Sequence, residues 1–411
     1  MTTHAPTDPA PTDPAPTAGP VADGPPAYPF ARGDAIEPPP DLARLRAEAP
    51  VHRVRTLGDG RAWLVTRYDD VRALLGDPAF GTQYPGAVPS DDPEDMASGF
   101  MFLKDPPEHT RLRRSVTRAF TARRVAALRA TAEGTAARLV ADMRSAGGVV
   151  DVQEAFAYPL PIAVISALLG VPPEDQGRFR SWADIVLRSV GGGGADAGEA
   201  FADLQRFVRR LVEAKPDGPD LLSDLVRQAG EPDGLTRGET ASMAMGLLMA
   251  GYVTTASAIS HGLLRLFRTP DVLAAVREGR ADLDRLVEEL LRLQDEEVGI
   301  HRIAQTDTEL CGVAVARGDI VIAARAGANR DPRAFAGPDR LDPGAPRGPH
   351  LAFGHGIHHC LGAALARMEL SVALGTLFRE LPGLRLAVDP DEVAWSAEGM
   401  DVSIDRLPVT W

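Results

Sequence analysis

The feature that most constrains the fold is a continuous helical pattern from Thr236 to Arg268. It begins with the spacing Thr236-x-x-Glu239, which is typical of a capping box, and it stops just before Pro270. At about 1.5 Å per residue, roughly thirty residues span ~45 Å, the width of a whole domain. Residues 241–258 are apolar or small all round, so we predict that this part is buried. A long buried central helix predicts one large helical domain rather than two separate ones.

The first 26 residues differ from the rest because they are rich in Pro, Thr and Ala and repeat the unit APTDP. With almost no bulky apolar side chains, they cannot bury enough surface to offset the entropy lost on ordering. We predict a disordered tail over residues 1–26 and a folded domain over residues 27–411. The tail lacks the features of a secretory signal, and no later segment offers ~18 uncharged apolar residues. We therefore expect a cytoplasmic protein with no membrane anchor.

The remaining patterns predict a mostly α protein with a small β region. Residues 61–66, with Trp63, Leu64 and Val65 inside, are typical of a short strand. Helical patterns separated by Gly and Pro lie at 69–75, 107–119, 121–143, 176–190, 199–213, 220–228 and 363–380. Four consecutive glycines, 191–194, stand between two of these patterns and indicate a flexible hinge or lid.

Charge and cysteine content limit the classes of function. The chain has 44 Lys and Arg against 57 Asp and Glu, a net charge of −13. This charge argues against a nucleic-acid binder, because phosphates require a basic face. The two cysteines, Cys311 and Cys360, exclude a disulfide framework and indicate a reducing compartment. Cys311 lies in the strand-like stretch 309–315, so we expect it to be a packing residue.

Cys360 lies in the segment FGHGIHHCLG, residues 353–362, directly before the helical pattern at 363–380. The N–H groups and the dipole at a helix N-terminus favour thiolate over thiol, so we expect a lowered pKa for Cys360. The glycines allow the backbone to pass close to a flat or bulky group without a Cβ clash. A buried structural cysteine is the alternative, because most free cysteines pack in this way.

This segment resembles the haem-binding signature F-G-x-G-x-H-x-C-x-G of the cytochrome P450 family, and every fixed position is matched. The resemblance extends over about residues 28–411 and implies a single large haem-thiolate domain with haem b as cofactor. It implies that Cys360 is the iron ligand and that Phe353, Gly354 and Gly362 belong to the cofactor-binding loop. Thiolate is a donating ligand that favours O–O cleavage at haem iron. The resemblance also implies O2 as oxidant and electrons that come ultimately from NAD(P)H through redox partners.

A second pattern fits the same family. Glu289-x-x-Arg292 resembles its E-x-x-R helix, in which both side chains share a face and lock to an arginine in the loop before the cysteine. Arg340 fits that third place, although Leu341 stands where the family more often has Phe. The resemblance therefore implies a structural triad of Glu289, Arg292 and Arg340. Taken alone, such a helical pair is a common surface ion pair worth under ~1 kcal/mol.

The two propionates of a haem require cationic partners. His109 and Arg113 are four residues apart and share one face of the predicted helix at 107–119. In the family, the matching pair binds a propionate, as do the residues that match Arg302 and His358. The resemblance therefore implies that these four residues bind the cofactor.

Further basic residues surround Arg113 in the sequence, and a solvated helix face is the simplest interpretation of them. We also expect them to form a basic patch on the cysteine side, which would steer an acidic ferredoxin-type electron donor. The residues concerned are Arg111, Arg114, Arg118, Arg123 and Arg124.

The middle of the long helix, Ala250-Gly251-Tyr252-Val253-Thr254, resembles the family's A-G-x-[D/E]-T element. There the small residues leave room for dioxygen, and the alcohol and the acid organise proton delivery. Thr254 is retained, but Val253 occupies the acid position and cannot relay a proton. Ala250, Gly251, Val253 and Thr254 are thus candidate catalytic positions, with water chains or substrate hydroxyls as substitutes for the acid. The alternative is that the Thr254 hydroxyl only bonds back to a helix carbonyl.

A second departure from the family is the acidic run Asp295-Glu296-Glu297, where family members are usually apolar. A solvated loop is one interpretation. The other is that one carboxylate faces the pocket and pairs with a basic or N–H-bearing substrate. In the family, substrate contacts come from variable segments over the distal face, which match residues 81–101, 191–198 and 298–300. The candidate substrate contacts are Met249, Glu296, Glu297, Val298 and Ile300.

The overall pattern is similar to actinobacterial members that tailor macrolides and related natural products. This resemblance predicts a monooxygenase that inserts one oxygen atom of O2 into a bulky secondary metabolite, by hydroxylation or epoxidation. One alternative uses the same haem chemistry for oxidative C–C, C–N or C–O coupling of aromatic substrates such as indoles or phenols. A non-catalytic auxiliary protein is the other, and the retained Cys360 with its flanking positions argues against it.

Overall fold

The computed structural model describes residues 24–56, 60–87, 92, 95, 99–188, 195–229, 231, 234–295, 299–345, 348–397 and 402–411. Most of the predicted tail at 1–26 and all of the glycines at 191–194 lie outside the described residues. The predicted disorder and the predicted hinge therefore stay predictions, as does the division of the chain at residue 27.

Helices dominate the described chain, as the sequence predicts. They are α1 (Pro40–Glu48), α2 (Tyr68–Gly76), α3 (Glu108–Thr117), α4 (Ala122–Ala146), α5 (Pro159–Leu169), α6 (Gln176–Arg188), α7 (Ala195–Glu213), α8 (Leu221–Ala229), α9 (Arg237–Phe267), α10 (Pro270–Arg277), α11 (Leu283–Leu293), α12 (Arg325–Ala328) and α13 (Ala363–Glu380). The predicted helices match these within a few residues at each end, because Pro, Gly and capping residues mark their boundaries.

The β region is small and lies beside the helices. Its strands are β1 (Val51–Arg55), β2 (Arg61–Val65), β3 (Phe80–Gly81), β4 (Val150–Asp151), β5 (Ile300–Ala304), β6 (Thr308–Leu310), β7 (Val313–Val315), β8 (Ile320–Ala323), β9 (Arg385–Leu386), β10 (Trp395–Ser396), β11 (Ser403–Ile404) and β12 (Pro408–Thr410). Five of them form one sheet in the order β1-β2-β8-β5-β3, in which β2 and β8 run parallel. This sheet carries β5, on which Arg302 pairs with Val321 of β8.

The long helix α9 is the centre of the fold. Thr236 caps it by accepting from the Glu239 N–H at 3.1 Å, and the Glu239 carboxylate accepts from the Thr236 N–H at 2.8 Å. Helices α5, α7, α11 and α13 pack directly on α9, while α4 packs on α5 and α13. By length and hydropathy α9 also qualifies as a membrane span, contrary to our expectation, but 67% of its most apolar window is buried inside the protein. The mostly α fold around a central helix is therefore confirmed.

Cys311 departs from the prediction of a packing residue in a strand. The stretch 309–315 is a hairpin of β6 and β7, and Cys311 with Gly312 forms its turn. Both residues have positive φ values, 52° and 82°, as the tight turn of a two-residue hairpin requires. Cys311 is exposed. The prediction was wrong because turn geometry, rather than apolar burial, sets this position.

Candidate active site

The cysteine segment passes over the C-terminal end of α2 as a tight loop before α13. Gly354 and Gly356 have positive φ values of 69° and 73°, a region that favours glycine. A Cβ atom on Gly356 would overlap the backbone carbonyl oxygen of Leu75. The N–H of Cys360 donates to the carbonyl oxygen of Phe353 at 2.9 Å, which closes the loop. The backbone therefore holds the thiol at a defined place close to the start of α13.

The environment of Cys360 combines accessibility with close packing. The residue is accessible to water-sized molecules, yet protein surrounds it so closely that burial raises the pKa of its thiol. The N–H of Gly362 and three nearby arginine charges act in the opposite direction without outweighing burial. The expected lowering of the thiol pKa is therefore wrong for the protein alone. The loss of solvation around the sulfur raises the thiol pKa by more than the Gly362 N–H and the arginines lower it.

Four basic side chains from three elements converge beside this loop. His109 and Arg113 project from α3, Arg302 from β5 and His358 from the loop itself. The ring centroids of His109 and His358 are 4.3 Å apart, and Arg113 Nη2 donates to the carbonyl oxygen of His359 at 2.7 Å. The four predicted propionate ligands are thus brought together, although they come from distant parts of the chain.

The electrostatics of this cluster suit an anion. Burial and the positive charges of His109 and Arg302 lower the pKa of His358 to about 3. Burial also lowers the pKa of His109, with Arg113 adding to it. The Nε2 atom of His358 is buried and has no hydrogen-bond partner within the described ranges. A carboxylate here would accept from this nitrogen and offset the charge, so these residues fit the propionates of a haem.

A stripe of α9 is accessible, although the helix is surrounded by others. Ala250 and Thr254 are exposed, and Gly246, Met249 and Val253 are half-buried. These positions repeat every three or four residues and so share one face of the helix. The prediction that residues 241–258 are buried all round is therefore wrong along this face. An accessible stripe inside a helical core indicates a cavity. Val253 faces this stripe at the position where the family has an acidic side chain, and it supplies no carboxylate.

Two candidate catalytic positions have contacts of their own. Thr254 Oγ1 donates to the Ala250 carbonyl oxygen at 2.8 Å, so the alternative contact to the helix backbone is present. The oxygen of this hydroxyl still has lone pairs that can accept from the cavity. A Cβ atom on Gly251 would lie 2.9 Å from Ile165 Cδ1. Gly251 thus lets α5 pack closely on α9, and the role of leaving room for dioxygen stays a prediction.

Two aromatic residues pack on the same helix: Phe100, inside the predicted substrate segment 81–101, and Phe102, which the sequence interpretation missed. Phe100 and Phe102 are T-shaped with ring centroids 5.5 Å apart, and a Cβ atom on Gly246 would lie about 3.5 Å from both rings. Phe102 remains 52% exposed. The predicted substrate segment ended at residue 101, and the apolar run 100–103 is the signal that would have extended it.

The predicted triad is built around Arg292. Its Nε and Nη2 donate to the two Glu289 carboxylate oxygens at 2.9 and 2.8 Å, and the side chains are only 1% and 4% exposed. Arg292 also donates to the carbonyl oxygens of Asn329, Pro338 and Arg340 at 2.9, 2.6 and 3.1 Å. Arg340 therefore meets Arg292 through its backbone, while the residue itself is exposed. The E-x-x-R pair holds the chain that leads to the cysteine loop.

The acidic run after α11 does not bring Asp295 to a substrate. Asp295 is buried and forms an ion pair with Arg32, whose side chain is also buried. The hypothesis of a substrate-facing carboxylate is thus wrong for Asp295, because a buried partner from the N-terminal segment takes it. Glu296, Glu297 and Val298 lie outside the described residues. Ile300 is half-buried at the start of β5, 3.5 Å from the position of a Cβ on Gly354.

The predicted basic patch is smaller than the sequence indicates. Arg114, Arg118 and Arg123 are exposed. Arg111, however, forms a two-pronged ion pair with Glu239 at the start of α9. Arg124 donates to the Pro219 carbonyl oxygen at 2.6 Å and to Asp224 at 3.1 Å. Internal partners therefore neutralise two of the five arginines.

Comparisons with known proteins point to one family. The sequence model of the family described as "Cytochrome P450" matches residues 197–382. The cytochrome P450 monooxygenase PikC of Streptomyces venezuelae is 42% identical over 92% of this chain and 92% of that protein. The mycinamicin IV hydroxylase/epoxidase of Micromonospora griseorubida is 39% identical over 94% of this chain and 99% of that protein.

Two solved structures are also similar to this chain. The LnmA cytochrome P450 hydroxylase from the leinamycin biosynthetic pathway of Streptomyces atroolivaceus matches with a TM-score of 0.85 and 43% identity, over 94% of this chain and 100% of that one. Cytochrome P450mel 107F1, described as having biaryl coupling reactivity, matches with a TM-score of 0.85 and 38% identity, over 92% and 98% of the two chains.

Proposed function

This chain belongs to the cytochrome P450 family of monooxygenases, and on that premise we propose that it inserts one oxygen atom of O2 into a bulky secondary metabolite. The family implies haem as cofactor and O2 as oxidant. Relatives named as hydroxylases or as a hydroxylase/epoxidase support hydroxylation or epoxidation. The observation that carries the proposal is the accessible Cys360 thiol beside a basic cluster with an unpartnered buried His358 Nε2, within the described residues.

In this proposal residues 27–411 form the haem domain and Cys360 ligates the iron of haem b. His109, Arg113, Arg302 and His358 would bind the propionates, and Phe353, Gly354 and Gly362 shape the loop that carries Cys360. Bound haem supplies the activation of O2, and thiolate ligation favours O–O cleavage. A bound metal deprotonates a coordinating thiol, so the raised thiol pKa of the protein alone does not oppose ligation.

Thr254 is the residue we assign to proton delivery. Its hydroxyl proton is directed to the Ala250 carbonyl, so the oxygen acts as an acceptor that orients water in the cavity. Val253 has no proton to give, and the route therefore runs through water or a substrate hydroxyl. Ala250 leaves space beside Thr254 because its side chain is a single methyl group on the accessible stripe.

The residues that we propose as substrate contacts around the accessible stripe of α9 favour an apolar part of the substrate. Met249, Val253, Ile300 and the exposed ring of Phe102 are the described residues that we propose as substrate contacts. Their contacts are apolar, so shape rather than charge selects the part of the substrate that meets them. Glu296, Glu297 and Val298 remain proposed contacts from the sequence alone.

Oxidative coupling of aromatic substrates is the second candidate function. It is favoured by the likeness to cytochrome P450mel 107F1, described as having biaryl coupling reactivity, and by Val253 in the acid position. Coupling joins two carbons or a carbon and a heteroatom and leaves no new oxygen atom in the product. The mass of the product therefore separates the two functions.

Electrons enter, in our proposal, from a ferredoxin-type donor in the cytoplasm that is reduced ultimately by NAD(P)H. Arg114 is exposed on the helix that carries His109 and Arg113, and the exposed Arg118 directly follows the last residue of that helix, so both are placed to attract an acidic donor. Charge reversal at both positions is expected to slow reduction by the donor at low salt. Unchanged reduction rates would contradict the assignment.

The carbon monoxide difference spectrum of the reduced protein tests the haem-thiolate assignment directly. We expect the red-shifted band of a thiolate-ligated haem, and we expect its loss in Cys360→Ala. Cys311→Ala is the matched control, because Cys311 lies on an exposed hairpin turn, and it should keep the band. A protein without the thiolate band would contradict the proposed function. Screening natural products for displacement of the iron-bound water, followed by product masses, then identifies substrate and reaction.

A further inference from the structure

A second charged cluster lies on the cysteine side, apart from the propionate ligands. Arg367 of α13 donates to both carboxylate oxygens of Glu288 on α11, through Nε at 2.5 Å and Nη2 at 3.0 Å. His350 Nε2 lies 3.1 Å from the same carboxylate. The His350 Nδ1 accepts from the Ala352 N–H at 3.2 Å, so Nε2 carries the hydrogen and donates to Glu288. One carboxylate thus joins two helices and the chain that enters the cysteine loop.

Arg367 connects this cluster to the cysteine loop. Its guanidinium carbon lies 4.6 Å from the centroid of the Phe353 ring, a cation–π contact. The carbonyl oxygen of Phe353 in turn accepts from the Cys360 N–H. Arg367 is therefore in contact with the residue whose carbonyl oxygen holds the Cys360 N–H.

The charges of the pair are constant at neutral pH. Burial would raise the pKa of the Glu288 carboxyl, but hydrogen bonds and charge from His350 and Arg367 lower it to about 2. Arg367 stays protonated in any protein. Because Arg367 stacks on Phe353, it stands between Glu288 and the loop. The two opposite charges therefore act on the site from different distances and do not cancel there.

We propose that Arg367 and Glu288 tune the reduction potential of the haem bound at Cys360, with Arg367 favouring the reduced state and Glu288 opposing it. This inference rests on the proposed haem-thiolate function. Reduction adds one electron, and hence one negative charge, to the iron. A nearby cation stabilises the added charge and a nearby carboxylate destabilises it. Both are positioning residues, since they act through the Phe353 loop and through space rather than by contact with substrate.

The test is an equilibrium redox titration of the holoenzyme at low ionic strength, followed by its visible spectrum. Arg367→Gln is expected to shift the potential down and Glu288→Gln to shift it up, each changing the ratio of reduced to oxidised haem several-fold at a fixed solution potential. Arg367→Lys keeps the charge and should stay close to wild type. Arg144→Gln is the matched control, because Arg144 pairs with Glu380 at the far end of α13, ~20 Å along the helix.

The signs of the shifts decide the outcome. Opposite shifts in Arg367→Gln and Glu288→Gln, both larger than that of Arg144→Gln, support the inference, since mere loosening of the loop would move both variants in one direction. Shifts of the same sign, or shifts no larger than the control, overturn it. The carbon monoxide spectrum of wild type separates this failure from that of the proposed function, because a normal thiolate band with unshifted potentials overturns the tuning alone.

Discussion

The cysteine side and the long-helix side of the candidate site are built in different ways. Around the cysteine loop, Arg292 alone donates to one buried carboxylate and three backbone carbonyls. Along the accessible stripe of α9, the polar contact among described residues is the one from Thr254 to Ala250. Many mutually dependent polar contacts fix the loop, whereas small and apolar side chains shape the stripe. The backbone around the cysteine loop is thus over-determined, while the stripe of α9 tolerates exchange of side chains.

The largest effect is expected when the buried pair on the cysteine side is broken. Glu289→Ala leaves the 1%-exposed guanidinium of Arg292 without its carboxylate, which costs about 3–5 kcal/mol of the free energy of unfolding. Urea denaturation measures this loss. Asp142→Ala is the control, because its partner Arg138 is an exposed i,i+4 neighbour, and it should cost below about 1 kcal/mol. If Glu289→Ala and Asp142→Ala lost equal free energy of unfolding, the buried pair would be no more important than an exposed one.

The next largest effect concerns the backbone of the loop. Gly356→Ala combines a positive φ with overlap of the Leu75 carbonyl oxygen, so it should destabilise the protein by about 2–4 kcal/mol. The thermal midpoint and the haem content of the purified protein report it. Gly134→Ala, inside α4 and with nothing near the added Cβ, should instead stabilise by about 0.5–1 kcal/mol. If both variants behaved alike, the close approach to α2 would be irrelevant.

The buried face of α9 gives a pH dependence that the accessible stripe does not. Burial lowers the pKa of His261 to about 4, with Arg32 and Arg265 adding to it against Asp295. Between about pH 4 and pH 6.5 the unfolded chain binds more protons here than the folded protein does, so stability falls as the pH falls. Between about pH 7 and pH 5, His261 should lower the free energy of unfolding by about 2 kcal/mol.

His261→Gln isolates that contribution, because glutamine does not titrate. Its free energy of unfolding should decline less steeply than that of wild type over the same pH range, as measured by urea denaturation. Parallel pH profiles for the two proteins would show that His261 contributes nothing to the slope.

The smallest effect is expected on the substrate side. Phe102→Ala removes an exposed ring over Gly246, which should weaken binding of an identified substrate by about 1 kcal/mol, or roughly fivefold. The carbon monoxide spectrum and the free energy of unfolding should not change. Spectral titration measures the dissociation constant. Val149→Ala, at another exposed apolar residue, should leave it unaltered, and an equal effect there would refute a role for Phe102 in binding.

Much of the fold could be predicted from patterns formed by residues that are close together in the sequence. The cap at Thr236, the pair Glu289–Arg292 and the helix at 363–380 are each specified by residues close together in the sequence. The convergence of His109 with His358 was accessible only through the family resemblance, because these residues are 249 positions apart. Their roles toward a cofactor stay predictions.

The misses have a common physical origin in contacts between distant segments. Asp295 pairs with Arg32, 263 positions away, and a sequence pattern does not reveal such a partner. Arg111 and Arg124 likewise find carboxylates on other helices. The thiol pKa of Cys360 depends on burial, which is a property of the assembled fold. Local sequence patterns predict helices and strands well. They do not show which of many similar acidic and basic side chains pair with each other in the fold.

The bond between Arg111 and Glu239 has a practical consequence for redesign. Arg111 shares α3 with Arg114, one of the two residues proposed to attract an electron donor, yet its guanidinium holds the carboxylate that caps α9. Adapting the enzyme to a foreign ferredoxin therefore leaves Arg114 and Arg118 open to exchange, whereas replacing Arg111 would disturb the helix that carries Thr254. A library built on the donor surface should keep Arg111 constant, so that selection for a new partner does not alter oxygen chemistry.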